Sequence, residues 1–200
     1  MSFLKGLAFG FLLAATVGPM WILCFRRTLA HGRLFGFVSG MGVASADAIY
    51  GFVAAFGLTA VSNFMLAQKF WLSLIGGAFL CWLGVKTLLS KPGDQAAVAP
   101  AGGLAVAYSS TLALTLTNPA TILAFVAIFA GLGLASNASY AEASLIVLGV
   151  TLGSSFWWVL LSIGAGWLRN RSGPRLLRAI NIVAGLSILA FGVHTLGTLF

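Results

Sequence analysis

Residues 12–25 read LLAATVGPMWILCF and residues 112–125 read LALTLTNPATILAF, so two apolar stretches 100 residues apart carry proline at the same place. A proline inside a helix removes one backbone donor and clashes with the preceding turn. A matched pair of interrupted apolar segments is the pattern that indicates a binding site in transporters. The identical pairs are Leu12/Leu112, Pro19/Pro119, Ile22/Ile122, Leu23/Leu123 and Phe25/Phe125.

The composition around these stretches is that of a membrane protein. Of 200 residues 60% are hydrophobic and 7% are charged, whereas soluble domains average about 25% charged residues. Apolar runs of about 20 residues predict spanning helices, and these runs are too long and uniform for barrel strands. We therefore predict an all-α membrane protein with six spans. They are Phe3–Phe25, Phe35–Asn63, Phe70–Leu89, Leu104–Leu134, Ala143–Leu168 and Leu177–Leu199.

The net charge of +8 is distributed unevenly. With six spans, nine of the 11 Lys and Arg residues fall at the first, third and fifth loops. The positive-inside rule places these loops in the cytoplasm and both termini outside the plasma membrane. This placement favours topology anchors over a nucleic-acid site. The nine are Arg26, Arg27, Arg33, Lys86, Lys91, Arg169, Arg171, Arg175 and Arg178.

The similarity of the two halves extends beyond the prolines. Gly42-Val43 matches Gly149-Val150 at an offset of 107, and Gly84-Val85 matches Gly192-Val193 at an offset of 108. A Pro-, Gly- and Ala-rich linker, 90–103, separates residues 1–89 from residues 104–200. Three spans per half give the halves opposite orientations, so we predict two inverted three-helix repeats.

The sequence resembles the LysE/RhtB family of amino-acid exporters over essentially its whole length. Gly18-Pro19, the run GFVSGMGVASADAIYG (36–51) and Asn118-Pro119 carry the resemblance. It implies export of amino acids or related small zwitterions. One residue departs from the family pattern, because Ala120 stands where the family often has lysine. A role of that lysine in binding a carboxylate therefore has no residue here.

Asp47 is the only acidic residue deep within a predicted span. It lies about 18 Å from the cytoplasmic start of its helix, near the middle of a hydrocarbon core about 30 Å thick. Small residues share its helical stripe, so it is expected to face the bundle. It is a candidate for proton coupling or for binding a substrate ammonium; the alternative is a buried acid that stabilises the bundle. Tyr50 lies one turn further and could reach Asp47, and Ser154 occupies the position equivalent to Asp47 in the second half.

The two breaks are the candidate translocation site. Interrupted helices free backbone groups, which membrane proteins tolerate only where the backbone is buried or lines a cavity. Thr16 and Thr117 add hydroxyl groups, and Asn118 adds a donor and an acceptor. With Gly18, Pro19, Pro119, Tyr50 and Ser154 they make up the predicted site. The alternative is a pair of ordinary proline kinks.

The sequence thus predicts a secondary active exporter, working as a proton antiporter with protons and membrane lipid as its other partners. No phosphate loop, dinucleotide fingerprint or metalloprotease motif occurs, so neither an enzyme nor a cofactor is predicted. A cation or metal exporter of the same superfamily is less favoured, because a single Asp without a His/Cys cluster in the spans offers poor ligation. A thiol–disulfide carrier of the CcdA/DsbD type is also less favoured, because Cys24 and Cys81 are not repeat-related. A non-transporting assembly subunit and a homodimer stay open.

Overall fold

Seven α-helices account for most of the chain that this computed structural model describes, which is residues 1–55, 67–89, 102–118, 121, 124, 125, 139–169 and 173–199. No strand occurs within these ranges. The helices are α1 (Ser2–Ala15), α2 (Pro19–His31), α3 (Arg33–Ala55), α4 (Lys69–Leu89), α5 (Gly103–Leu116), α6 (Tyr140–Arg169) and α7 (Pro174–Gly197).

Four of these helices, α3, α4, α6 and α7, are long and apolar enough to cross a membrane. α1 and α2 pass the same test as a pair, although they are bent by 72° at the break between them. α5 is a shorter apolar helix of 14 residues that ends just before Asn118. The chain is therefore an all-helical multi-pass membrane protein, as the composition predicts. Nearly all of the predicted linker lies outside the described residues.

The first break follows from the local sequence. α1 ends at Ala15 and is capped by Thr16, whose backbone is extended (ψ 131°) and whose hydroxyl donates to the Leu13 carbonyl at 2.6 Å. Gly18 is also extended, the conformation that a following proline favours. Pro19 then opens α2 at a position where its missing N–H costs nothing. α2 continues beyond Phe25, the predicted end of this span, as far as His31.

α1 packs closely along α6, the helix that also carries Ser154. A Cβ at Gly6 or Gly10 would overlap the backbone of Ile146 or Val150, so the backbones of α1 and α6 are in direct contact. The residue numbers rise together along both helices, which are therefore parallel. Small residues at such an interface let helix backbones approach each other.

α3 and α6 cross the centre in opposite directions. Gly40 of α3 packs on Trp158 of α6, and further along Gly51 of α3 contacts Val147. Asp47 lies between these two contacts and is buried, as the small-residue stripe predicts.

α4 and α7 form a second antiparallel pair through their glycines. Gly84 packs on the backbone of Leu189, and Gly192 packs on the backbone of Cys81. Exchanging each residue for the one 108 positions away turns the first contact into the second. The same exchange converts the contact of Gly77 with Leu196 into that of Gly185 with Leu88.

Candidate functional site

A cavity of about 90 Å³ lies where the two helix breaks meet. Gly18 and Pro19 of the first break, Asn118 of the second, and Asp47 all line it. A cavity needs only about 15 Å³ by this measure to hold one water molecule, so several waters or a small solute fit. The other lining residues are Leu13, Ala14, Thr16, Met20, Trp21, Val43, Thr115, Thr121 and Trp158.

The structure brings most of the predicted site residues together. Thr16, Gly18, Pro19, Asp47 and Asn118 line the cavity directly. Ser154 contacts Asp47 from α6, and Tyr50 reaches the second break from α3. Thr117 instead lines a smaller neighbouring cavity, which it shares with Asn118. Pro119 lies outside the described residues.

A short hydrogen-bonded chain holds the buried carboxyl group. The Ser154 hydroxyl donates to Asp47 Oδ2 at 2.7 Å, and the Trp158 indole donates to Ser154 Oγ at 3.2 Å. An indole N–H can only donate, so it occupies a lone pair of the serine oxygen and leaves the hydroxyl proton for Asp47. Ser154 and Trp158 thereby fix the position of the carboxyl group.

The first break presents the amide end of a helix to the cavity. Gly18 caps α2 without a side-chain hydrogen bond, and the first helical bond runs from Ile22 N–H to the Gly18 carbonyl at 3.0 Å. The N–H groups of Met20 and Trp21 precede that bond, and both residues line the cavity. Such a terminus carries a partial positive charge of about half an elementary unit.

The second break presents the carbonyl end of a helix. α5 ends at Leu116, and the last four carbonyls of a helix lack partners within it. Asn118 N–H closes a tight turn onto the Thr115 carbonyl at 3.1 Å. The Tyr50 hydroxyl donates to the Leu116 carbonyl at 2.7 Å. The predicted hydrogen bond of Tyr50 with Asp47 is therefore wrong, because this helix end takes the hydroxyl instead.

Asp47 is the one ionisable side chain among the described residues that line the cavity. A solute that carries a positive group therefore meets its counter-charge here, while any negative group meets only neutral donors. The cavity thus has one acidic side, one amide end and one carbonyl end.

Arg26 and Arg27 lie within α2, not in the predicted loop, which corrects the sequence interpretation. Arg26 donates to Thr87 Oγ1 at 2.7 Å, reaching α4. Arg27 donates to Ser39 Oγ at 3.0 Å and to the Ala107 carbonyl at 2.8 Å, reaching α3 and α5. Arg26 also donates from Nε to Asn181 Oδ1 of α7 at 3.4 Å. These bonds satisfy the two arginines within the helix, and they tie α2 to α3, α4, α5 and α7.

Sequence reasoning missed Trp21 as a cavity residue. It stands two positions after the proline, in the first turn of α2, and its ring stacks on Phe25 with centroids 5.1 Å apart. Its position close to the proline break was the feature of the sequence that could have indicated a place in the cavity wall. Trp158 both packs on Gly40 and orients Ser154.

No group of three metal-ligating side chains occurs among the described residues. Cys24 and Cys81 are both free thiols, and Cys24 is fully buried.

A bent pair of apolar helices lies beside four long ones, and both helix breaks border one cavity with a buried carboxyl group, an arrangement that suits a membrane transport protein. The sequence model of the LysE type translocator family matches residues 11–198, and the chain belongs to this family. It is 28% identical over 198 residues to YcgF of Bacillus subtilis (strain 168), a protein provisionally named for amino acid efflux, covering 96% of this chain and 93% of that one.

Two further relatives carry more specific names. The chain is 26% identical to the threonine efflux protein of Salmonella typhi, covering 88% of each chain. It is 27% identical to the leucine efflux protein of Enterobacter sp. (strain 638), covering 92% of this chain and 90% of the relative. No solved structure matches the chain.

Proposed function

We propose that this protein is a secondary active exporter of amino acids or related small zwitterions across the plasma membrane, working as a proton antiporter. The observation that carries the proposal is a single cavity bordered by the Asp47 carboxyl group, the amide end of α2 and the carbonyl end of α5. The names of the relatives, which refer to amino acid, threonine and leucine efflux, support the same substrate class.

The electrostatics of this cavity suit a zwitterion. The ammonium group of an amino acid would lie against Asp47 and the carbonyl end of α5, where the carboxylate and the negative end of the helix dipole both favour a positive charge. The carboxylate would lie at the α2 terminus, whose amides favour anions. A metal ion would interact with Asp47 and the carbonyl end of α5 but not with the amide end of α2. An amino acid interacts with all three, so the cavity suits an amino acid better than a metal ion.

Asp47 supplies a means of coupling. Its carboxylate can bind either a proton or the substrate ammonium, and an unpaired charge at this depth is costly. Release of the ammonium to the outside therefore favours protonation of Asp47 from that side, and release of the proton to the cytoplasm restores the substrate site. The Ser154 hydroxyl stabilises the carboxyl group throughout, because it can donate to the charged form and accept from the neutral one.

The two halves, residues 1–89 and 104–200, would be inverted repeats that rock against each other. The reciprocal glycine contacts of α4 and α7 support this arrangement, because a two-fold axis between inverted repeats requires every such contact twice. The antiparallel crossing of α3 and α6 also supports a two-fold axis, because Asp47 and its sequence equivalent Ser154 are in contact there.

The test is transport by purified protein in proteoliposomes loaded with labelled amino acids, threonine and leucine among them. An imposed pH gradient, acidic outside, should accelerate efflux of at least one of them. Asp47→Asn should abolish that acceleration. Glu142→Gln is the matched control, because Glu142 lies in the first turn of α6, hydrogen-bonded to Ser139.

Two results would contradict the proposal in different ways. Absence of flux for every amino acid, with flux of a divalent metal instead, would overturn the substrate class. Gradient-driven flux that is equal in Asp47→Asn and the wild type would remove Asp47 from the coupling step.

A further inference from the structure

Arg27 of α2 is hydrogen-bonded to both halves of the chain at once. Its guanidinium group donates to Ser39 Oγ of α3 at 3.0 Å. It also donates to the Ala107 carbonyl and to Ser110 Oγ of α5, both at 2.8 Å. α2 and α3 belong to the first half and α5 belongs to the second. A movement of one half against the other would break the bonds that cross between them.

These bonds lie on one side of the cavity between the helix breaks. On α3, Ser39 comes four residues before Val43, which lines the cavity, a distance of about 6 Å along the helix. On α5, Ser110 comes five residues before Thr115, which also lines the cavity, a distance of about 7.5 Å. Arg27 therefore bridges the two halves between one and two helical turns from the cavity.

α3 and α5 are in direct contact at the same level. A Cβ at Gly42 would overlap the Thr111 hydroxyl and the Tyr108 carbonyl. Thr111 Oγ1 also donates to the Ser39 carbonyl at 2.7 Å. No solute can pass between α3 and α5 here, so the structure has these two helices closed on this side of the cavity.

The same end of the helices carries further arginines. Arg33 at the start of α3 packs on Gly166 near the end of α6, and a Cβ at Gly32 would lie 2.9 Å from Arg169 Nη1. With the two arginines of α2 they make four guanidinium groups at one end of the protein. The positive-inside rule places such an end in the cytoplasm.

We propose that Arg27, together with Arg26, forms the inner gate of the transporter. Their bonds to the second half, which include that of Arg26 to Asn181 of α7, hold the cytoplasmic side closed and break when the cavity opens toward the cytoplasm. This inference rests on the proposed function, in which the two halves rock against each other. Val126 and Ala127 occupy the equivalent positions in the second half, so the sequence supplies such a pair of arginines to one side only.

The acceptors of Arg27 suit bonds that break and re-form in every cycle. They are two hydroxyl groups and one carbonyl group, all of them neutral. Water can replace such acceptors once the helices separate, so the guanidinium group stays hydrogen-bonded in the open state.

The test measures access to the cavity from the cytoplasmic side. Val43→Cys, in a Cys24→Ala/Cys81→Ala background, places a thiol in the cavity wall one turn before Asp47. Inside-out membrane vesicles expose the cytoplasmic side to small, membrane-impermeant methanethiosulfonates. Arg27→Gln should raise the rate at which this thiol is modified roughly tenfold, the effect of one hydrogen bond to a charged group on the equilibrium between closed and open states.

Arg175→Gln is the matched control. Arg175 is exposed in the first turn of α7, so this variant removes the same charge and should leave the rate unchanged. A cationic and an anionic reagent are compared, because a lost positive charge alone accelerates the first and slows the second, whereas an opened gate accelerates both. Should Arg27→Gln fail to fold, Ser110→Ala keeps the arginine, removes one of its acceptors on α5, and should accelerate both reagents about threefold.

Unchanged rates in a folded Arg27→Gln variant would overturn the gate. An acceleration confined to the cationic reagent, or an equal acceleration in Arg175→Gln, would overturn it as well. These rates do not depend on which solute is carried. A wild-type protein that exports no amino acid would therefore overturn the proposed function, whereas unchanged rates beside normal wild-type export would overturn this inference alone.

Discussion

Asp47 and Ser154, which occupy equivalent positions 107 residues apart, are joined directly by a hydrogen bond of 2.7 Å. In the proposed arrangement of inverted repeats, two equivalent residues can touch each other only where the two-fold axis passes between them. Asp47, the one buried acid among the described residues, would then lie at the point about which the two halves move. A proton or ammonium bound there would contact both halves at once, which would link its binding to their relative position.

Loss of the Ser154 hydroxyl should destabilise the protein through Asp47. Ser154→Ala removes the hydroxyl group that donates to the Asp47 carboxyl group and accepts from the Trp158 N–H. We expect a loss of about 1.5–3 kcal/mol, seen as a lower Tm in detergent. Ser144→Ala on the same helix is the control, since Ser144 is exposed and bonds only to the Tyr140 carbonyl. Equal Tm values for the two variants would contradict a structural role for the bond.

The glycines of α4 and α7 should be equally intolerant of a side chain. Gly84→Ala and Gly192→Ala each introduce a Cβ against the backbone of the opposite helix, so each should cost about 1–3 kcal/mol of stability. Gly164→Ala is the control: no atom lies within 4 Å of its added Cβ, and helix propensity alone favours alanine by about 1 kcal/mol. Thermal unfolding in detergent measures all three. A large loss in only one of the two contact variants would argue against reciprocal packing.

The helix breaks and the inward position of Asp47 could be predicted from the sequence, because a proline in an apolar run and the small residues around a carboxylate are local features. The position of Arg26 and Arg27 within a helix could not be predicted in this way. The run FRRTLAH (25–31) is too polar for a span, and the guanidinium groups donate to acceptors that are 12 to 155 residues away in the sequence. These acceptors include Ser39, Thr87, the Ala107 carbonyl, Ser110 and Asn181. The partner of Tyr50 was missed for the same reason, since the Leu116 carbonyl is 66 residues distant.

Loss of the Tyr50 hydroxyl should reduce the transport rate more than loss of a hydroxyl that contributes equally to stability elsewhere in the protein. Tyr50→Phe leaves the terminal carbonyl of α5 unpaired at the second break. We expect a reduced maximal rate of counterflow, because the break would relax away from the cavity. Tyr108→Phe removes a comparable bond, to Ser45 Oγ at 2.8 Å, away from both breaks. It should lower the Tm to a similar degree with little change in rate; equal rate losses in both variants would count against a special role for Tyr50.

The orientation of the chain can be tested by labelling. In a Cys24→Ala/Cys81→Ala background, Ser2→Cys should react with a membrane-impermeant maleimide in intact cells. Leu89→Cys, at the exposed end of α4, should react only after the membrane is permeabilised. This outcome is expected because three spans separate the two positions and the basic residues favour the cytoplasm. Reaction of both from the same side would contradict three spans in the first half.

Exchanging Asp47 and Ser154 is the most direct test of a two-fold axis that passes between these two residues. The double variant Asp47→Ser/Ser154→Asp moves the carboxyl group from α3 to the hydrogen-bonded position on α6, which is also in contact with Trp158. We expect it to retain pH-gradient-driven amino acid efflux within about tenfold of the wild type, whereas Asp47→Ser alone should abolish gradient dependence. Coupling between the two substitutions should also appear in the Tm as a departure from additivity, since residues in direct contact share their interaction energy. A folded double variant as uncoupled as Asp47→Ser would show that the carboxylate must stand on α3, where the cavity reaches it, and that contact with both halves is not enough.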